Sequence, residues 1–316
     1  MNYLFVLLAV LCITMQFSLT KVYQKRYVRG VSTLLFFSMV LAAVGMIFFL
    51  CLAAFRVRFG AFTFIMAFLN AFVGVAVVLL GIAAVRLGRF SIYMLFLMLG
   101  GMLLPFVYGT AFLSEMPTPA GIAGMAILTA SLFVPFIRFK RGAGEPVGRL
   151  FVFLCVCVFI LNGCGGIIGK AYQMNTAALG TEQFLIWHNI SMLILSAAAF
   201  GVCRLCPRAK TKELSAADRV VSASGATPAV SRGFKGKTLL LATLLAAAAA
   251  LFACGQSFLM LRSAKNLPAS VLFPMVTGGV IVLSAVSGLI FFKEKLTLRM
   301  IVSLALTLVG TILFLF

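Results

Sequence analysis

Ten apolar stretches, each long enough to cross a membrane as a helix, constrain this chain more than any other feature of its sequence. We place them at residues 3–22, 31–54, 61–85, 91–113, 118–137, 150–170, 182–203, 238–260, 268–292 and 296–316. Roughly 20 apolar residues span the hydrocarbon core as a helix, and a helix satisfies its own backbone hydrogen bonds, as lipid requires. Hydrophobic residues make up 63% of the chain and charged residues 10%, which is more apolar surface than a water-soluble domain can bury. The sequence therefore predicts an all-α membrane protein with ten transmembrane helices.

These spans form two copies of one five-span block. The segment Lys21-Val22-Tyr23-Gln24 recurs 149 residues later as Lys170-Ala171-Tyr172-Gln173. The segment Glu115-Met116-Pro117-Thr118 recurs 179 residues later as Glu294-Lys295-Leu296-Thr297, and Ser91, Gly100 and Gly109 fall on Ser270, Gly279 and Gly288 at the same offset. Because five is odd, the second block enters the membrane from the opposite side, an arrangement typical of secondary transporters. We predict one repeat at 1–137, a connector at 138–149 and a second repeat at 150–316, which includes a flexible basic loop at 204–237.

The net charge of +20 is distributed unevenly between the two predicted faces of the membrane. The loops that follow spans one, three, five, seven and nine hold all of the Lys and Arg residues except Arg56, Arg58, Lys170, Arg262 and Lys265. By the positive-inside rule the basic face is cytoplasmic, which predicts that both termini lie outside. We expect a multi-pass protein of the bacterial inner (plasma) membrane, with anionic lipid headgroups rather than nucleic acid as the partner of the charge.

The arrangement of two five-span halves resembles the drug/metabolite transporter superfamily, EamA type, over nearly the whole chain. The resemblance is sharpest at Glu115 and Thr118, followed by glycines 121 and 124, and at Glu294 and Thr297, followed by Gly310. Both segments look like that family's turn between the fourth and fifth helices of each half. The resemblance implies a permease of small organic metabolites and does not specify the solute.

Polar side chains within apolar spans usually face the interior of a helix bundle, where they bind a solute or join two helices. The predicted cavity residues are Gln16, Lys21, Asn70, Tyr108, Asn162, Lys170, His188 and Gln256. Lys21 and Lys170 stand at the ends of equivalent helices and either extend toward the membrane surface or face the two mouths of a cavity. His188 either donates to a neighbouring helix or takes part in proton relay or solute contact.

Helix-breaking residues indicate where helices kink or approach one another closely. Gly163, Gly165 and Gly166 in span six indicate either close packing or a cavity wall, and Pro105 and Pro274 indicate kinks or hinges. Glu115 and Glu294 each precede a helix by a few residues, where a carboxylate interacts favourably with the positive end of the dipole, and Thr118 before Pro119 is a good N-cap. We interpret these carboxylates as structural.

The function predicted from these features is secondary transport of small organic metabolites, by alternating access between the two repeats. The alternative is a non-transporting membrane scaffold or sensor. An enzyme is not expected, because one histidine and no carboxylate deep within a span make a poor acid/base set. No cofactor is expected. No metal is expected either, because Cys203 and Cys206 form a CxxC motif without a second pair of ligands. A homodimer is possible in principle, and no residue predicts it.

Overall fold

The structure, a computed structural model, describes residues 2–27, 31–87, 90–134, 148–205, 236–292 and 298–316. All regular structure in these ranges is helical. The helices are α1 (Asn2–Tyr27), α2 (Val31–Leu52), α3 (Ala61–Leu87), α4 (Phe90–Phe112), α5 (Pro119–Phe133), α6 (Arg149–Met174), α7 (Thr181–Leu205), α8 (Gly236–Asn266), α9 (Ala269–Phe292) and α10 (Leu298–Ile312), followed by a 3₁₀ turn at Leu313–Leu315.

Nine of the helices in the described part of the chain are long and apolar enough to cross a membrane, and α5 is a shorter apolar helix of 15 residues. Large apolar side chains such as Leu4, Ile194 and Leu244 are exposed on the outside of the bundle. Lipid covers such a surface at no cost, whereas a water-soluble monomer rarely exposes apolar patches of this extent. The chain is therefore an all-α, multi-pass integral membrane protein.

The first five helices and the last five interleave. Helix α1 packs along α8 and α9, and α6 packs along α3 and α4. Helices α2 and α7 lie against each other, as do α4 and α9, and α5 packs on α10 at one side of the bundle. The helices thus pack extensively across the boundary between the predicted repeats.

Glycines allow the closest of these helix contacts. A Cβ atom at Gly100 would collide with the backbone carbonyl of Phe159, and one at Gly163 would meet the carbonyl oxygen of Gly100 at 2.7 Å, so α4 and α6 pack backbone to backbone. In lipid, close approach of this kind replaces the hydrophobic effect as a source of helix association. Gly124 and Gly310 bring α5 and α10 together in the same way.

Buried hydroxyl groups add specific links between helices. Ser18 on α1 shares a hydrogen bond of 2.6 Å with Ser287 on α9. Ser131 on α5 shares one of 2.8 Å with Thr307 on α10 and accepts another from the Ser303 hydroxyl at its backbone oxygen. These bonds fix the register of the helix pairs that contain them.

The bundle has two ends, which differ in the helix connections that they hold. The end that we call the terminal end contains the described links α2–α3, α4–α5, α6–α7 and α8–α9, together with the N-terminus of α1. The opposite end, where α1 ends and α2 begins, is the basic end.

Candidate functional site

Two adjoining cavities lie within the bundle at mid-depth and toward the basic end. The central cavity, of about 370 Å³, lies among α3, α4, α6, α7, α8 and α9. The basic-end cavity, of about 430 Å³, lies among α1, α2, α3, α4, α7 and α8. Both are lined by His188, Gln256 and Ser257, which stand at their junction. Each volume lies within the range of roughly 300–1,000 Å³ typical of small-molecule sites.

The glycine run of α6 forms one wall of the central cavity. Gly165, Gly166 and Gly169 line it. A Cβ atom at Gly165 would meet nothing closer than 3.8 Å, so the absence of a side chain there leaves space, whereas one at Gly166 would collide with Phe273 and Pro105. Asn70 on α3 donates from Nδ2 to the Gly165 carbonyl at 3.1 Å. Asn162, one turn earlier on α6, donates from Nδ2 to the Leu97 carbonyl of α4 at 2.7 Å. Both amide groups therefore make a hydrogen bond between helices and also line the cavity.

The basic-end cavity has a polar strip on α1. Gln16, Thr20 and Gln24 are spaced four residues apart, so they lie on one face of the helix. The Thr20 hydroxyl is buried and has no hydrogen-bond partner among the described residues. Gln24 lies within one turn of the end of α1, so the cavity extends close to the basic end of the bundle.

A buried ion pair stands at the terminal end of the central cavity, where Lys170 is one of the lining residues. Lys170 Nζ lies 3.5 Å from Glu115 Oε1, and the two side chains are only 3% and 13% exposed. Lys170 also donates to the carbonyls of Ala264 at 2.9 Å and Leu267 at 2.6 Å, in the last turn of α8 and just after it. The ammonium group thus satisfies carbonyls that the end of a helix leaves unpaired.

Glu115 has the complementary role at the next helix. Its carboxylate accepts from the backbone N–H of Ala269 at 2.9 Å and of Ser270 at 3.0 Å, and from the Ser270 hydroxyl at 3.1 Å. These groups form the N-terminus of α9, where a negative charge is favourable. A Cβ at Gly109 would collide with the carboxylate, so glycine provides the room for it. We call Lys170, Glu115 and the helix ends they cap the terminal clamp.

A second set of hydrogen bonds holds the terminal end. The Gln183 side chain on α7 donates to the Arg56 carbonyl at 2.7 Å and accepts from the Arg58 N–H at 2.9 Å. Trp187 Nε1 donates to the Arg58 carbonyl at 3.1 Å. The α2–α3 link, which includes Ala54 and Phe55 at positive φ, is thereby attached to α7. The clamp and this attachment both join the first five helices to the last five.

Six of the eight predicted cavity residues line one cavity or both: Gln16, Asn70, Asn162, Lys170, His188 and Gln256. Tyr108 does not; its ring stacks on Phe112 near the end of α4, with centroids 5.7 Å apart. Lys21 is half-buried on α1 and is not among the lining residues. Any role of these residues in solute binding stays a prediction.

The helix-breaking residues divide between packing and cavity. Gly163 packs against α4 and Gly165 lines the central cavity, whereas Gly166 both lines the cavity and packs closely against α4 and α9. Pro105 and Pro274 are buried inside α4 and α9, and both helices continue through them.

The repeated Glu and Thr segments can be compared with the structure only in the first repeat. Thr118 caps α5 by accepting from the Gly121 N–H at 3.0 Å, as the sequence predicts. Glu115 caps a helix, but that helix is α9 rather than the one that follows it in the chain. Glu294 and Thr297 lie outside the described residues, as do the 138–147 part of the connector and loop residues 206–235.

Sequence reasoning missed several lining residues. Ser257, Phe184 and Phe273 line the central cavity, and Asn189 lines the basic-end cavity. Nothing in the local sequence distinguishes these phenylalanines from the many that face lipid. Ser257 adjoins Gln256, and a search for polar neighbours of the predicted residues would have found it.

No protein-family model and no curated protein matches the sequence. Among solved structures, one described only as "Crystal structure of protein" superposes with a TM-score of 0.69. The two share 15% identity, and the alignment covers 99% of this chain and 95% of the other. At that identity the likeness shows the fold alone. Fold and site together define a polytopic helical membrane protein with a partly polar interior cavity.

Proposed function

We propose that this chain is a secondary carrier of small organic solutes that works by alternating access between two inverted five-helix repeats. The observation that carries the proposal is the pair of adjoining cavities, with polar contacts between the two halves at the terminal end. A carrier needs a central site whose exposure changes as one half moves against the other. A scaffold has no such need.

The pattern of helix contacts supports inverted repeats. Exchanging the halves converts α1 into α6, α2 into α7, and so on through α5 into α10. The packing of α1 on α8 then corresponds to that of α6 on α3, and the packing of α1 on α9 to that of α6 on α4. The pairs α2–α7, α4–α9 and α5–α10 map onto themselves. This correspondence matches the sequence repeat and is what a pseudo-twofold axis between the halves requires.

The terminal clamp supports a conformation that is closed at one end. Glu115 and Lys170 come from different proposed repeats, and the helix ends they cap belong to the second. Opening this end separates the charges and removes the Glu115 cap from α9. In the proposed cycle the solute reaches the central cavity from the basic end in the described conformation, and leaves at the terminal end once the clamp opens.

Solute flux into liposomes tests the proposal. The purified chain is reconstituted and the uptake of a broad panel of radiolabelled amides, nucleosides, sugars, amino acids and organic acids is compared with protein-free liposomes. Gly74→Phe places a ring in the central cavity, because the nearest atom to a Cβ there is 3.9 Å away. Gly201→Phe is the matched control, since it lines neither cavity and a Cβ there meets nothing within 4 Å.

We expect saturable uptake of at least one solute, its loss in Gly74→Phe and its retention in Gly201→Phe. If no solute enters faster than in protein-free liposomes, the carrier proposal is wrong. If Gly74→Phe transports as well as the parent chain, these cavities are not the pathway.

A further inference from the structure

We infer that the solute of the central cavity is a small, uncharged molecule with at least one N–H or O–H donor, such as an amide, a nucleoside or a polyol. The inference rests on the proposed carrier function and adds the chemical class of the solute. Its basis is the cavity wall, where the one charge is paired within the protein and the oxygen atoms of two amides accept no hydrogen bond from the described residues.

The two asparagines illustrate the balance. Beside the carbonyls of Gly165 and Leu97, only the NH₂ group of each amide can be stable, so the orientation of Asn70 and Asn162 is fixed. Their Oδ1 atoms accept no hydrogen bond from the described residues. Neither oxygen is among the buried side-chain atoms that lack a partner, so both are accessible to a small molecule. Each therefore offers an acceptor to the solute.

Lys170 is the only charged residue among the described residues of this wall, and its polar contacts lie within the protein. Two of its N–H bonds are donated to the carbonyls of Ala264 and Leu267, and the Glu115 carboxylate lies 3.5 Å from the same nitrogen. Because Glu115 also balances its charge, the described wall presents no unpaired charge of either sign. A carboxylate or an ammonium ion would lose its hydration here without an ionic partner, which is strongly unfavourable.

The junction with the basic-end cavity adds further polar groups. Gln256 donates from Nε2 to the Ser257 hydroxyl at 3.3 Å, which leaves its Oε1 as an acceptor. His188 Nδ1 is buried without a hydrogen-bond partner among the described residues. The apolar remainder of the wall, including Phe184 and Phe273, suits the faces of a flat molecule.

Binding of matched probes to the purified chain tests the inference. The panel contains benzamide, uracil and uridine; the methylated counterparts N,N-dimethylbenzamide and 1,3-dimethyluracil; and the ions benzoate and benzylammonium. Ligand-dependent thermal stabilisation gives each half-saturating concentration. We expect at least one neutral donor-bearing probe to bind, its methylated counterpart to bind at least about tenfold more weakly, and both ions to bind no better than the methylated probe.

A variant pair checks that the probe occupies this cavity. Gln256→Glu replaces a neutral acceptor by a carboxylate, so we expect it to weaken binding of the neutral probe and to allow binding of benzylammonium. Gln173→Glu is the control, because Gln173 lies near the terminal end of α6 and lines neither cavity.

Equal binding of the methylated probes, preference for an ion, or no binding by any of the probes overturns the inference. So does an unchanged preference in Gln256→Glu. The proposed function can fail separately from this inference. Saturable liposome uptake of carboxylates alone would support the carrier function and refute this solute class. Specific binding of a neutral probe without flux would support the solute class and refute the carrier function.

Discussion

Reversing the charges of the terminal clamp should fail to restore it, because each charge is matched to a helix end as well as to its partner. An ordinary ion pair tolerates exchange of its two members. Here a lysine at position 115 would face the N–H groups that begin α9, and a glutamate at position 170 would face the carbonyls that end α8. Both placements oppose the helix dipoles, each interaction being worth about 0.3–1 kcal/mol and up to about 2 kcal/mol when partly buried.

The magnitudes for the single variants follow from burial. Glu115→Gln leaves the Lys170 ammonium, 3% exposed, with two carbonyls and no counter-charge. Removing one member of a buried pair costs about 3–5 kcal/mol, and the partial exposure of Glu115 indicates the lower end, about 3 kcal/mol. Lys170→Met leaves a carboxylate that keeps three hydrogen-bond donors, so about 2 kcal/mol is expected. The neutral double variant should cost less than the sum of the two, with a coupling of about 2 kcal/mol.

The measurement is a double-mutant cycle on unfolding in mixed micelles, with Glu115→Lys/Lys170→Glu as a fourth variant. We expect the reversed pair to be at least as unstable as Glu115→Gln alone. A loss of about 3 kcal/mol from the closed state shifts an open–closed equilibrium by about 10²-fold. Glu115→Gln should therefore also expose a reporter thiol, introduced as Ala264→Cys in a chain whose native cysteines have been replaced, to a membrane-impermeant thiol reagent. Recovery of parental stability by the reversed pair would refute the reasoning.

Three further predictions concern packing and the cavity. Gly100→Ala forces α4 away from α6 and should lower the free energy of unfolding by about 1–3 kcal/mol. Gly201→Ala is the control, because a Cβ atom there meets nothing within 4 Å, and it should be neutral or slightly stabilising. Equal effects of the two variants would contradict close packing at Gly100. Thr307→Val removes the hydrogen bond to Ser131 and should cost about 0.6 kcal/mol, since interhelical bonds in membranes average that value; a loss several times larger in the same unfolding assay would show a wider role for this pair. His188→Phe should reduce solute affinity about tenfold in the binding assay, because the ring lines both cavities and phenylalanine offers no polar atom there; an unchanged affinity would remove His188 from the site.

The helices could be predicted from the sequence because hydrocarbon permits few alternatives. Apolar stretches identified the helices, but several extend beyond them: the stretch at 238–260 becomes α8, Gly236–Asn266. A helix continues past the hydrocarbon core for as long as the chain permits, and hydropathy does not detect its end. Helix α8 stops where Pro268 approaches, as expected for a residue that disfavours helix before it.

The cavity residues were predictable in part for a similar reason. A polar side chain in an apolar span is costly in lipid, so residues such as Asn70 and Asn162 were expected inside the bundle. Their hydrogen-bond partners were not predictable, because the Leu97 carbonyl becomes available only where α4 and α6 meet. Tyr108 is an exception, since an aromatic ring with a polar tip is also stable near the end of a span.

Glu115 shows why the clamp itself could not be found from local sequence. A carboxylate shortly before a helix is ordinarily assigned to that helix, yet Thr118 already caps α5. The helix that Glu115 caps begins 154 residues later in the chain. What the sequence did contain was the repeat, in which a Ser, a Gly and a Glu recur at one offset. Gly109, Glu115 and Ser270 all occupy repeated positions, and in the structure they belong to one contact. Reading these positions together would have suggested a single site between the halves.

Closure by capped helix ends suits the proposed alternating carrier on energetic grounds. States that interconvert during a transport cycle can differ by only a few kcal/mol. A closure made of buried apolar surface would be hard to reverse at that cost. The groups of the clamp are the ammonium of Lys170, the carboxylate of Glu115, two carbonyls and two N–H groups, and water satisfies all of them when the end opens. Because desolvation offsets much of the attraction of a buried pair, the clamp orients α8 and α9 specifically while contributing little net free energy to keeping the end shut.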